Sequence, residues 1–321
     1  MRQNVKLTDP GVALRGLAVL ALLALTPLHA QESPEPPSPQ PSPAPAATPR
    51  PIQANLNITP KRLVLGRDKR IASIYVFNQG DVPVTADVTI VDRVMLPDGQ
   101  LKPLDEAAAK AELKPIADRV HAARNFMMAT PRRITLMPGR GQTVRLRAVL
   151  PADADAAEYR SHLTVVTVPP RDTGVTAKDA DAQQARELSI RINAVFGISI
   201  PVIVRNGPAD ARAEIRDPRL TEEAIPSGEG APPRPTPALS FDIARLGANS
   251  LYGSIEIRSA AGQKDLLGLA RGIGVYPEID GRSVRILLQR RPESGETLDI
   301  RFIDDDAEPG RVLARQSFTA P

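Results

Sequence analysis

Residues 188–204 read L-S-I-R-I-N-A-V-F-G-I-S-I-P-V-I-V. Every even-numbered position in this run is apolar, from Leu188 through Ile190, Ile192, Ala194, Phe196, Ile198, Ile200 and Val202 to Val204. The odd positions are mostly small or polar: Ser189, Arg191, Asn193, Gly197 and Ser199. Alternation with a period of two marks a β-strand with one buried face, and this run is about three times the usual strand length. One small sandwich can hardly cover so long a row. Part of it is expected to project beyond its own core and need an outside partner, the alternative being a long strand covered entirely by its own sheets.

The rest of the chain repeats the rhythm in shorter runs. Before the long strand, residues 56–65, 71–78, 84–91, 143–149 and 161–168 are predicted strands; after it come 239–246, 251–257, a pair around 272–279, 284–289, 297–303 and 312–318. Strands spaced by about 8–12 residues with turn signals between them, and no helices interleaved, argue for antiparallel sandwiches. Residues 105–120 (D-E-A-A-A-K-A-E-L-K-P-I-A-D-R-V) break the rhythm, and their alanines and i,i+4 charge pairs predict a short helical insertion interrupted near Pro115. Residues 171–187 and 225–237 lack periodicity and read as loops, and Gly207-Pro208 punctuates the boundary between the halves. The expected fold class is all-β: two immunoglobulin-like β-sandwich domains, over 52–206 and 207–321, with a short helical insertion in the first. The 321 residues suffice for each half to bury its own core.

The N-terminus reads differently. Residues 1–30 carry Lys6 and Arg15, an apolar stretch over 17–25, and Pro27 shortly before Ala30, the pattern of a secretory signal peptide. The apolar stretch is about half the roughly 20 residues a membrane anchor needs. Residues 31–51 are dominated by proline, cannot bury a core, and read as an extended tether. A ligand for a proline-binding module is the other reading of that stretch.

Composition excludes several chemistries. There is no cysteine, so disulfides, thiolate metal sites and cysteine nucleophiles are ruled out together. The net charge of +4 is scattered, and the first 30 residues supply half of it, so nucleic-acid binding is not expected. Of the three histidines, His29, His121 and His162, none has metal-ligand spacing. Ser161 and His162 are adjacent on a predicted strand, so their side chains point to opposite faces and cannot form a nucleophile–base pair. Asp304, Asp305 and Asp306 lack the alternation and glycine of a calcium loop and read as a solvated turn. Gly272-Ile273-Gly274 and Gly139-Arg140-Gly141 lack the strand–turn–helix setting of a phosphate loop. No enzyme, cofactor or metal is expected.

Several runs, taken in order, carry a resemblance. They are I-T-P-K-R-L-V-L (58–65), I-Y-V-F-N-Q-G (74–80), A-T-P-R-R-I-T-L-M-P-G (129–139), Q-T-V-R-L-R (142–147), E-Y-R-S-H-L-T-V-V-T-V-P (158–169) and F-G-I-S-I-P-V-I-V-R (196–205). G-A-N-S-L-Y-G (247–253), R-G-I-G-V-Y (271–276) and V-L-A-R (312–315) extend it more loosely. With these the chain resembles the periplasmic chaperones of chaperone/usher pilus assembly, the PapD-like family, from about residue 52 onward.

The resemblance implies a periplasmic chaperone that binds pilus or fimbrial subunits and delivers them to an outer-membrane usher. The last strand of the first domain would lend its apolar row to an incomplete subunit, a form of β-augmentation. Ile190, Ile192, Ala194 and Phe196 then fill the subunit's groove. The family also holds the subunit's terminal carboxylate with a pair of cations in the cleft between domains. Arg62 takes the first position, but the second, a lysine in the family, falls on Pro201, leaving Arg205 or Lys61 as substitutes. Arg145 matches a structural arginine whose glutamate partner falls near Arg160. A structural or adhesion component of the cell surface, with the proline-rich stretch as stalk, is the alternative function. The sequence leaves open whether free chains cap their exposed strands by dimerising.

Overall fold

Proline divides the first predicted strand in two. Residues 56–65 form β1 (Leu56–Thr59) and β2 (Leu63–Gly66) rather than one strand, because Pro60 has no backbone N–H to place in a ladder. The two pieces join opposite sheets, so the chain crosses the sandwich between them. The computed structural model describes residues 55–169, 195–228, 232–262 and 265–321. The expected signal peptide and proline-rich stretch lie outside the described residues, as do Ile190, Ile192 and Ala194.

The first sandwich continues through β3 (Ile71–Asn78), β4 (Val84–Val91), the small hairpin β5 (Arg93–Met95) and β6 (Leu101–Pro103), helices α1 (Leu104–Ala108) and α2 (Lys114–Ala117), β7 (Met127–Thr130), β8 (Arg133–Leu136), β9 (Gly141–Ala148), β10 (Glu158–Thr167) and β11 (Gly197–Arg205). One sheet has the order β1-β3-β9-β7; the other has the order β2-β11-β10-β4-β8. Every pairing in them is antiparallel except β2 with β11. The helical insertion is interrupted upstream of the expected place. Pro115 sits in the first turn of α2, where its missing N–H would have had no helical partner anyway.

The second sandwich is built from β12 (Ala213–Ile225), β13 (Arg234–Arg245), β14 (Leu251–Ser259), β15 (Leu266–Val275), β16 (Gly281–Leu287), β17 (Thr297–Asp304) and β18 (Val312–Thr319), in sheets ordered β12-β13-β16 and β15-β14-β17-β18. Residues 234–237, expected in a loop, pair with β12 as far as Arg234 opposite Ile225. Pro235 and Pro237 fit there because their missing N–H groups fall where the β16 pairing ends at Ala238, beyond which Pro237 only accepts, its carbonyl taking the Leu288 N–H at 2.8 Å. Residues 276–279, expected as strand, form the turn between β15 and β16. The motif glycines 247 and 253 mark close approaches: a Cβ at either would stand 2.0 Å from a carbonyl oxygen, of Asp210 and Ile303 respectively.

The described residues fold as one compact unit with two main cores. The inward rows of both first-sandwich sheets form one, including Ile58, Ile74, Leu146, Leu163 and Val202. The second gathers around Phe241, Ile255, Ile300 and Phe302. Ile203 of β11 and Met95 of β5 belong to the second core although they lie in the first half of the chain. The end of β11 is therefore covered on both faces, Val202 and Val204 inward and Ile203 toward the other sandwich.

Candidate functional site

β11 changes character along its length. Its C-terminal part, Val202 to Arg205, lies between β10 on one side and β2 on the other. Gly197 to Pro201 pair with β10 alone, and no strand flanks their second side among the described residues. The pairing with β10 continues one residue upstream: the Thr167 N–H donates to the Phe196 carbonyl at 2.8 Å, and the Phe196 N–H donates to Thr167 Oγ1 at 2.9 Å. Backbone groups alternate in direction along a strand. Since those of Phe196 face β10, those of Gly197 and Ser199 face the open side, and Pro201 there offers a carbonyl but no N–H.

The apolar row splits at the same place. Ile200, Val202 and Val204 are buried in the first core and Ile198 packs against it. Phe196 is 38% exposed and its neighbour Val195 57%. Of the four predicted donor residues, Phe196 is the one described, and it stands free of both cores.

The two predicted anchor arginines meet in the seam between the sandwiches. Arg62, in the crossing between β1 and β2, donates through Nη2 to Asp306 Oδ2 at 2.8 Å and to Ser250 Oγ at 3.0 Å, with its guanidinium 4.7 Å from the Tyr252 ring centroid. Arg205, the last residue of β11, reaches the same Asp306 oxygen at 2.5 Å and Glu158 Oε2 at 3.4 Å. Glu158 Oε2 also accepts from the Ser250 N–H at 3.2 Å and from Asn249 Nδ2 at 3.4 Å. Lys61 does not join them: it is exposed and its Nζ donates to Asn57 Oδ1. Arg62 Nε and Nη1 are buried without a protein partner.

The acidic run is a turn, as expected, but only in part a solvated one: Asp305 is exposed, while Asp304 is buried and Asp306 half-buried. The Asp304 side chain accepts the N–H groups of Asp306 and Glu308 at 2.9 and 2.7 Å, shaping the turn that presents Asp306. Burial pushes the Asp306 carboxyl up, but the charges of Arg62 and Arg205 together outweigh it and hold the group below the usual carboxylate range. Nor does Arg145 have the expected glutamate: it is exposed on β9 without an ion-pair partner among the described residues, and the glutamate beside Arg160 is Glu158, bound to Arg205.

A second buried ion pair, missed in the sequence, lies along the same seam. Arg160 of β10 meets Glu278 of the β15–β16 turn, both side chains at most 3% exposed. Arg160 Nη2 also donates to the Arg93 carbonyl at 2.8 Å, and its guanidinium lies 3.7 Å from the Tyr276 ring centroid. Glu278 Oε1 also accepts the Met95 N–H at 2.8 Å. His162, two residues along β10 from Arg160, is buried with neither ring nitrogen bonded. Burial, reinforced by Arg160, Arg93 and Arg62, lowers its pKa to about 2. Among the described residues no group of three or more His, Asp or Glu is placed to hold a metal ion.

No family model and no curated protein matches this chain. Solved structures do. The Escherichia coli chaperone DraB is 12% identical, with 84% of this chain and 97% of that one covered at a TM-score of 0.41. The Pseudomonas aeruginosa CupB2 chaperone is 13% identical, covering 83% and 100% at 0.39. The SafA pilin–SafB chaperone complex of Salmonella enterica matches at 11% identity, 83% and 97% coverage, and a TM-score of 0.40.

Proposed function

We propose that this chain is a periplasmic chaperone that holds pilus subunits by lending them a strand, and passes them to an outer-membrane usher. The observation that carries the reading is the open side of β11. Gly197 and Ser199 present backbone groups there with no strand opposite among the described residues, and the exposed Phe196 continues an alternating apolar row into the chain before it. An incomplete sandwich could add its own edge at this position, taking register from the backbone and affinity from Ile190, Ile192, Ala194 and Phe196. Burying the three large side chains of that set contributes roughly 5–9 kcal/mol before ordering costs. Pro201, with no N–H to give, ends the augmentable edge before β2 takes over.

Arg62 fits the role of carboxylate anchor in a particular way. One of its nitrogens is engaged by Asp306, while Nε and Nη1 are buried and unpartnered, so a subunit's terminal carboxylate would have to open the seam to give them the acceptor they lack. Arg205 stands behind it through the shared Asp306 rather than as an independent anchor. Export to the periplasm rests on the signal sequence in residues 1–30.

Co-expression with a candidate subunit tests the reading. Soluble subunit should be recovered with the wild type and lost with Ile192→Asp, which places a charge in the lent row. Equal recovery with both would remove strand lending and leave the structural-module alternative standing.

A further inference from the structure

The sheet β1-β3-β9-β7 turns one face to the core and the other to solvent, and the outer face has an unusual composition. None of its four strands contains a lysine, aspartate or glutamate. Its outward positions carry instead Arg145 and Arg147 on β9, Ile71, Tyr75 and Phe77 on β3, and Met128 on β7. Met128, Arg147 and Ile71 lie side by side across three strands, and Ile71 and Met128 are 60% and 59% exposed. Tyr75 lies over Gly141 and stacks on Phe77 with ring centroids 5.9 Å apart.

The arginines of this face add positive charge. Some exposed arginines are matched to carboxylates, as Arg133 is to Asp87, Arg216 to Glu214 and Arg291 to Glu222, while others, such as Arg140, Arg234 and Arg271, are not. Arg145 and Arg147, about 7 Å apart along one strand, have neither ion pair nor hydrogen bond among the described residues. Beside β7 a cavity of about 300 Å³ is lined by Met128 and two further arginines, Arg124 and Arg132, which are equally unmatched.

We infer that this face is a docking surface for an acidic segment of another protein, whose carboxylates pair with Arg145 and Arg147 while its apolar groups cover Tyr75, Ile71 and Met128. Arginine, tyrosine, phenylalanine and methionine in place of lysine and acids is the composition of a protein–protein interface core. Attraction to an anionic membrane would be served equally by lysine, which the face excludes. A two-fold dimer through this face is disfavoured because it would set arginine against arginine. The surface is on the sheet opposite β11, so the inference stands independently of strand lending.

The test uses the full chain and a labelled synthetic peptide alternating aspartate with threonine, read by fluorescence anisotropy at low salt. The wild type should bind it saturably and ignore the matching asparagine–threonine peptide. Arg145→Ser with Arg147→Ser should weaken binding roughly tenfold, and Tyr75→Ala should weaken it with no change of charge. Arg216→Ser, whose arginine already has Glu214, should leave it unchanged. The inference is overturned if the wild type does not bind, if Arg216→Ser weakens binding as much as the double variant, or if Tyr75→Ala has no effect. It is also overturned if the double variant instead abolishes sedimentation with phosphatidylglycerol vesicles, or if binding emerges only after residues 31–51 are deleted, since the chain's own segment would then be the occupant.

Discussion

Arg62 and Asp306 meet 2.8 Å apart although 244 residues of chain separate them, and the side chains are only 7% and 8% exposed. Asp306 is also the acceptor for Arg205, so one carboxylate bridges two guanidiniums, the second of which also meets Glu158, in a seam from which water is largely excluded. Breaking a buried ion pair from one side costs more than the pair contributes, because the remaining charge keeps its desolvation penalty. Asp306→Asn is expected to lower unfolding stability by about 3–5 kcal/mol, measured as a shift of the urea midpoint at unchanged slope. A loss under about 1 kcal/mol, the size of an exposed pair, would mean the seam is wet.

His162 makes the protein acid-sensitive well above the carboxylate range. Its folded pKa is depressed to about 2, whereas an unfolded histidine titrates near 6.5. Below about pH 6.5 the unfolded chain takes up a proton that the folded chain refuses, so stability falls as pH drops, by about 1.4 kcal/mol per pH unit for this one group. His162→Leu removes two unbonded ring nitrogens as well as the titration. Its urea-derived stability should lack that slope between about pH 6.5 and 5, and an unchanged slope would assign the acid sensitivity elsewhere.

What the sequence disclosed follows a physical division. Alternation is local, so most strands were legible, and the odd-position Ile203 within a row of inward even residues was a readable sign that β11 is covered on both faces there. Which sheet a strand joins is not local: nothing within residues 56–65 says that β1 and β2 part company, except Pro60. The acidic run 304–306 looked like solvent-facing sequence because its burial depends on Arg62 and Arg205, which lie 244 and 101 residues away. Arg160 was similarly opaque, since its partner Glu278 sits in a turn of the other sandwich.

Phe196 separates the cost of folding from the capacity to bind. Its ring joins neither core, so Phe196→Ala is expected to change stability by no more than about 1 kcal/mol. As a large aromatic poised at an open edge it should matter far more to a bound subunit. Co-expression should yield several-fold less soluble subunit with Phe196→Ala than with the wild type, while the variant itself accumulates normally. Undiminished recovery would confine any lent strand to residues upstream of 196.

The Arg160–Glu278 pair gives a sharper test of how the seam is held, because its parts can be removed separately. Glu278→Leu leaves a buried guanidinium without its counter-charge and the Met95 N–H without an acceptor. Arg160→Met leaves a buried carboxylate whose remaining hydrogen bond is the one from that N–H. Each single variant is expected to lose about 3–5 kcal/mol. The double variant buries no unpaired charge and fills similar volume with apolar atoms, so its remaining cost should be mainly the orphaned Met95 N–H, about 1–3 kcal/mol. A double variant more stable than either single one, by urea unfolding, would identify the pair as a device that fixes how the sandwiches meet rather than as a source of stability. If instead the two losses add, Arg160 and Glu278 are coupled more strongly to their other neighbours, Arg93 and Met95, than to each other.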